Sequence, residues 1–262
     1  MTTTTTKTTT TTTTSAVRSS KQPGRRRRRR RGGEQTAFVF CTWGGRRKGA
    51  GRKPRGARAG VAHRPRPRLA ARFPVHVTLR IRDGLLSLRS RRAHKAVVQA
   101  LFGGCAREGF CVVHFCVLSN HVHLIVEANS AEALSRGVQG LAIRLAKRLN
   151  ARLERSGPVY ADRYHGRILR TPLEVRRALV YVLQNSRSHQ ARSGQADRLP
   201  PDAADPYSSG PWFDGWRTMP CNRPTDGRGP PLTAPAHTWL LRVGWRRHGL
   251  LDLTEGAGRR RG

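Results

Sequence analysis

Residues 110–128, "FCVVHFCVLSNHVHLIVEA", place two apolar runs either side of Ser119-Asn120. The first run, Phe110 to Leu118, is almost continuously apolar and reads as a buried strand. Ser-Asn is a turn signal, and beyond it Val122, Leu124 and Val126 alternate with His121, His123 and Ile125, the period of a strand. The stretch therefore predicts a β-hairpin, and its alternation sets His121 and His123 side by side on one face. Imidazole is a common metal ligand and also an ordinary half-buried side chain, so the spacing alone leaves both readings open.

The flanking sequence completes the fold. "PVHVTLRI", residues 74–81, alternates Val75, Val77, Leu79 and Ile81 with His76, Thr78 and Arg80 and predicts a half-buried strand. Residues 90–107 read as a helix with Ala93, Val97, Ala100 and Leu101 on one side. A longer helix runs from Ser130 to the stop at Gly157-Pro158, with Leu134, Val138, Leu141, Leu145 and Leu149 at spacings of three and four. "RYHGRILR", residues 163–170, predicts a fourth strand. The order β-α-β-β-α-β is the split βαβ, ferredoxin-like pattern of an α+β domain.

One more helix follows. "TPLEVRRALVYVLQNSRSHQ" begins with Thr171 as N-cap, Pro172 at the first helical position and Glu174 three residues after the cap, a capping box. Val175, Leu179, Val182 and Leu183 form its apolar stripe. Glu174, Arg177, Tyr181, Gln184, Asn185 and Ser188 share the other side at helical spacing. That side predicts solvent exposure for Gln184 and Ser188, whereas a tyrosine one turn from an amide suggests chemistry.

Charge points to the partner. The chain carries a net +36, and residues 1–72 contribute +20 of it through 21 Lys/Arg against the single acid Glu34. Residues 1–72 are Thr-, Arg- and Gly-rich, with the seven-arginine run Arg25 to Arg31, and such sequence predicts a disordered basic tail. Because the remaining residues still carry +16, basicity belongs to the folded part as well. A polyanion such as nucleic acid fits that surplus through counterion release. No apolar run approaches the ~20 residues of a spanning helix, and no secretory signal is evident, so the expectation is a cytoplasmic, nucleoid-associated protein without a membrane role. The five cysteines form no CxxC pair, which suits reduced thiols, with Cys111 and Cys116 buried. The expected organisation is a tail over 1–72, a catalytic domain over 73–192 and a polar C-terminal region over 193–262. In that last region "HTWLLRVGWRRHGLL" predicts a short amphipathic helix with Trp239, Leu240 and Val243 docked on the core or stacked on bases.

"NHVHLIVE" resembles the His-hydrophobic-His motif of HUH single-strand nucleases. "RYHGRILRTPLEVRRALVYVLQNSR" resembles the fourth strand and catalytic helix of single-tyrosine transposases, the insertion-sequence-200-like and REP-associated tyrosine transposase family. The likeness spans about residues 73–190 and departs from many relatives where "QNSRSH" replaces an Asn-Pro. It implies His121 and His123 as a metal pair, Asn185 as a third, amide-bearing ligand and Tyr181 as the nucleophile. A mixed N/O ligand set suits Mg²⁺ or Mn²⁺, and such a cation would act as Lewis acid on the scissile phosphate.

The resemblance implies a transposase that nicks and rejoins single-stranded or hairpin DNA through a 5′-phosphotyrosine, as a monomer or homodimer. Arg80, Arg163, Arg167 and Arg177 are the candidate phosphate contacts. Tyr160, Tyr164 and Tyr207 compete for the nucleophile's role, but only Tyr181 is paired with an amide one helical turn on. Two alternatives stand beside this reading. One is a non-catalytic, domesticated basic nucleic-acid-binding protein. The other is an HUH replication initiator or relaxase, disfavoured by the short core and by the lack of a GxxxxGK[ST] P-loop.

Overall fold

The computed structural model describes residues 67–187, 199–224 and 232–256. Of the expected tail, residues 1–66 lie outside the described residues, as do Cys41 and Ser188.

The elements follow in the expected order. β1 (Val75–Arg80), α1 (Arg91–Phe102), a two-residue strand β2 (Ala106–Arg107), β3 (Phe110–Val117), β4 (His121–Ala128), α2 (Ala131–Arg152), β5 (His165–Ile168) and α3 (Pro172–Leu183) build a mixed α+β fold. The five strands form one sheet in the order β2-β3-β4-β1-β5 with antiparallel neighbours. Without the short edge strand β2, this is the ferredoxin-like order predicted from sequence.

Both faces of the sheet are covered, which is why β3 and β4 read as almost unbroken apolar runs. On one face Val75, Val77, Leu79, Val122, Leu124 and Val126 pack against α1 and α2. On the other, Cys116 and Ile125 pack with Leu179 of α3 and with Trp216, Trp245 and Leu251 from beyond it. A register shift between Val112 and His114 inserts one extra residue, Val113. This bulge switches the parity of β3, so that Val112 before it and Phe115 after it face the same helices. Gly137 lets α2 sit against the end of β3, where a Cβ would lie 2.2 Å from the Phe110 ring.

Three boundaries differ from the sequence reading. α1 stops at Phe102 rather than near Arg107, because Gly103 caps it through its N–H to Gln99 O and Leu101 O and the chain turns into β2. α2 ends at Arg152, and Glu154 takes a φ of 49° two residues later. The region beyond 192 is more than a polar appendage. A 3₁₀ turn (Gly210–Trp212), a four-residue helix α4 (Trp239–Arg242) and a second 3₁₀ turn (Gly244–His248) bring buried side chains onto α3. In α4 the docked residues are Leu240 and Leu241, joined by Trp245, whereas Trp239 and Val243 are about half exposed. A helix of one turn carries too few residues for the predicted stripe, so neighbouring leucines do the docking.

The far segment is held by polar bonds as well. Arg89 grips both oxygens of buried Asp205 at 2.9 and 2.8 Å, donates to Val117 O, and stacks over Tyr207. Among the described residues no helix is long and apolar enough to cross a membrane.

Candidate active site

The register between β1 and β4 sets Thr78 opposite His123 and Arg80 opposite His121. On the other side of β1, β5 sets His165 opposite Thr78 and Arg167 opposite His76. Alternation therefore collects His76, Thr78, Arg80, His121, His123, His165 and Arg167 on the sheet face that α3 partly covers.

The two motif histidines are held in fixed orientations. His121 Nδ1 lies 2.7 Å from Asn120 Oδ1 and donates to it, which puts the ring's lone pair on Nε2. His123 is buried, and its Nδ1 lies 3.1 Å from both Thr78 Oγ1 and His76 Nε2. With Nδ1 of both rings in hydrogen bonds, Nε2 is the candidate ligand atom of each, as in imidazoles whose other nitrogen is held by an outer-shell partner. The two ring centroids are 4.7 Å apart at 89°. Burial, with His165 and Arg167 adding to it, pushes His76 down to about 4, so it stays neutral beside His123. Alternation in "PVHVTLRI" placed His76 and Thr78 on this face, but sequence alone gave no reason to single them out.

α3 delivers the tyrosine. Its capping box is in place: Thr171 Oγ1 accepts from Glu174 N, while Glu174 Oε2 accepts from Thr171 N and Arg170 N. These backbone hydrogen bonds hold the Glu174 carboxyl below the usual carboxylate range. Ten residues into the element, half-buried Tyr181 meets His123 edge-on at 5.1 Å and His76 at 5.5 Å. The competing tyrosines have other contacts. Tyr160 donates to Ala142 O at 2.8 Å and burial pushes its hydroxyl far up, Tyr164 packs against the α1/α2 core, and Tyr207 lies under Arg89 and against His94.

Asn185 follows Gln184, the C-cap of α3. It is 1% exposed, yet neither atom of its side-chain amide finds a hydrogen-bond partner among the described residues. The next residue, Ser186, bonds the Cys116 thiol through its backbone, and Cys116 is the cross-strand partner of His123. An unbonded buried amide costs about 1–3 kcal/mol, and by their chemistry two imidazole nitrogens and an amide oxygen are donors that a divalent cation accepts. Gln184, expected in solvent, is 3% exposed and donates to the Asp252 carbonyl. The segment beyond 232 covers that side of α3, and no sequence periodicity announced it.

The four arginines are exposed. Arg80 and Arg167 flank the histidines on the sheet, with Asp83 and Glu174 as respective ion-pair partners at 3.3 and 3.4 Å. Arg177 lies one turn before Tyr181, and Arg163 sits two residues ahead of β5. Among the described residues one group of three His, Cys, Asp or Glu ligand atoms converges, that of Cys111, Glu127 and His237. Glu127 is four residues beyond His123, roughly 13 Å along β4 on the same face.

No curated protein matches the chain. Among solved structures it is similar to a REP-associated tyrosine transposase bound to a REP hairpin, at 14% identity and a TM-score of 0.41, over 56% of this chain and 82% of that one. Residues 75–171 match the family described as IS200-like transposase. The match spans β1 to the cap of α3, including the two motif histidines, and stops short of Tyr181 and Asn185.

Proposed function

We propose that this domain nicks and rejoins single-stranded DNA, with Tyr181 as nucleophile and His121, His123 and Asn185 as ligands of Mg²⁺ or Mn²⁺. The observation that carries the reading is the edge contact between the Tyr181 and His123 rings at 5.1 Å. It sets a tyrosine ring beside the imidazole proposed as a ligand.

When bound, the cation supplies Lewis-acid stabilisation of charge on the scissile phosphate. The protein does the rest. His121 and His123 present their Nε2 atoms, and Arg80 and Arg167 on the sheet and Arg177 on α3 are exposed to position phosphates. The Tyr181 hydroxyl attacks phosphorus: the Tyr Oη–P bond forms, the bond from phosphorus to the 3′ oxygen breaks, and the phenolic proton leaves to solvent or a basic neighbour. The departing 3′ oxygen takes up a proton from solvent, and the products are a 5′-phosphotyrosine and a free 3′-hydroxyl. Attack by a 3′-hydroxyl on that phosphotyrosine reverses the step and joins strands without ATP. Both the match of residues 75–171 to IS200-like transposases and the surplus positive charge support single-stranded or hairpin DNA as substrate.

Incubating the protein with a single-stranded hairpin and Mn²⁺ is expected to give a protein–DNA adduct that survives denaturing electrophoresis. Tyr181→Phe should give none, while Tyr160→Phe, Tyr164→Phe and Tyr207→Phe retain it. An adduct that persists in Tyr181→Phe and vanishes in Tyr164→Phe would move the nucleophile to the approach of β5.

A further inference from the structure

We propose that Cys111, Glu127 and His237 form a second divalent-cation site, suited to Zn²⁺, which fastens the C-terminal segment to the sheet. The three residues come from distant parts of the chain. Cys111 and Glu127 are cross-strand partners on β3 and β4, and His237 immediately precedes Thr238, the N-cap of α4. One ligand atom from each lies within 4.8 Å of the other two, and closure by a few tenths of an ångström to about an ångström reaches the edge of a Zn²⁺ tetrahedron with bonds of ~2.0–2.3 Å.

The hydrogen bonding leaves the required position open. Glu127 Oε1 accepts from Thr238 N at 2.9 Å and Thr238 Oγ1 at 2.7 Å, which uses its two lone pairs. Oε2 accepts from His237 N at 2.7 Å, and its second lone pair faces Cys111 Sγ at 3.9 Å. That long thiol–carboxylate contact joins two buried acids. Together with His237 they bring three ligand atoms within 4.8 Å of one another. A cation between them replaces the thiol proton: the S–H bond breaks, a metal–sulfur bond forms, and the proton passes to solvent.

Chemistry separates the two sites. A thiolate selects Zn²⁺ or Co²⁺ over Mg²⁺ and Mn²⁺, whereas two imidazoles with an amide and a phosphate accept the harder ions. Cys111 and Glu127 are buried and His237 is exposed, so three protein ligands with one position left to water match an open tetrahedral site. The consequence is structural: the segment that covers Gln184 and supplies Trp245 and Leu251 to the α3 core becomes tied to the sheet through one ion.

The test titrates Co²⁺ into the full chain carrying His121→Ala and His123→Ala, which removes the other histidine pair. Thiolate-to-cobalt charge-transfer absorption in the near ultraviolet is the expected signal. Cys111→Ser should abolish it, whereas Cys105→Ser and Cys221→Ser keep it. His237→Ala, an exposed change that leaves folding intact by circular dichroism, should weaken Co²⁺ by more than the ~10–100-fold that loss of an outer-shell partner costs. Zn²⁺ should raise the unfolding temperature of the parent and not of His237→Ala. No thiolate band in the parent, or a band with unchanged affinity in His237→Ala, would overturn the site.

Discussion

The Tyr181 ring stands edge-on to the His123 imidazole, centroids 5.1 Å apart at 78°, while the Tyr160 hydroxyl is tied to the Ala142 carbonyl. The two phenols therefore answer differently to the loss of one oxygen. Tyr181→Phe keeps the ring contacts, so its unfolding free energy should move by no more than about 0.5 kcal/mol while DNA cleavage disappears. Tyr160→Phe should lose about 0.5–1.5 kcal/mol with its hydrogen bond to the Ala142 carbonyl, which keeps its partner within α2, and cleavage should be retained. Urea unfolding alongside the adduct assay separates the two. Parallel losses in both assays for Tyr181→Phe would make that residue a structural prop.

Asn185 gives a prediction of opposite sign. Its amide is buried without a partner among the described residues, so Asn185→Leu should be neutral or stabilising in metal-free buffer. The same change should remove the stabilisation that Mn²⁺ confers on the parent, because binding to the native state alone raises stability by mass action. Asn185→Asp, which keeps an oxygen in place, should preserve it. A leucine variant stabilised by Mn²⁺ as fully as the parent would exclude Asn185 from the ligand set.

The buried pair between Arg89 and Asp205 bridges the start of α1 to the far segment. Asp205 is 2% exposed and also accepts from Tyr207 N and the Cys116 thiol. Asp205→Ala leaves the guanidinium and these donors without their acceptor, and should cost about 3–5 kcal/mol in chemical unfolding. Asp205→Asn, which retains one carbonyl oxygen, should cost less. A loss under 1 kcal/mol for Asp205→Ala would mean that apolar packing alone holds the segment.

What could be read from the sequence was what repeats. Alternation in β1 and β4 and the three-four spacing of α2 each report one buried face, so strand order and helix count followed. So did His121 and His123 on a common face, and the capping box that aims α3. The bulge at Val113 was hidden because a strand buried on both sides shows no alternation to break. Trp216, Trp245, Leu251 and Leu253 are buried from a 3₁₀ segment, a turn and an isolated bridge, where no period marks an inward face, and Gln184, which that segment covers, looked solvent-facing for the same reason. His76 and Thr78 were on the predicted face. Their role depends on a cross-strand register that only pairing sets.

His114 on β3 sets a pH dependence whose direction follows from its surroundings. Its ring meets Phe213 edge-on at 5.3 Å, its Nδ1 lies 3.3 Å from Ser209 Oγ, and burial, opposed only by Asp214, pushes it from 6.5 down to about 4. The unfolded chain therefore takes up this proton near its ordinary value while the folded chain resists it. The folded state binds fewer protons between these limits, so stability is full above about pH 6.5 and falls as pH drops towards 4. At about pH 5 the loss from this one group is about 2 kcal/mol. His114→Gln keeps a hydrogen-bonding group for Ser209 and does not titrate. Urea unfolding at about pH 7.5 and about pH 5 should show a drop in stability smaller in the variant by that amount, whatever the variant's own stability. An equal drop in parent and variant would mean that His114 is protonated as readily in the folded chain as in the unfolded one.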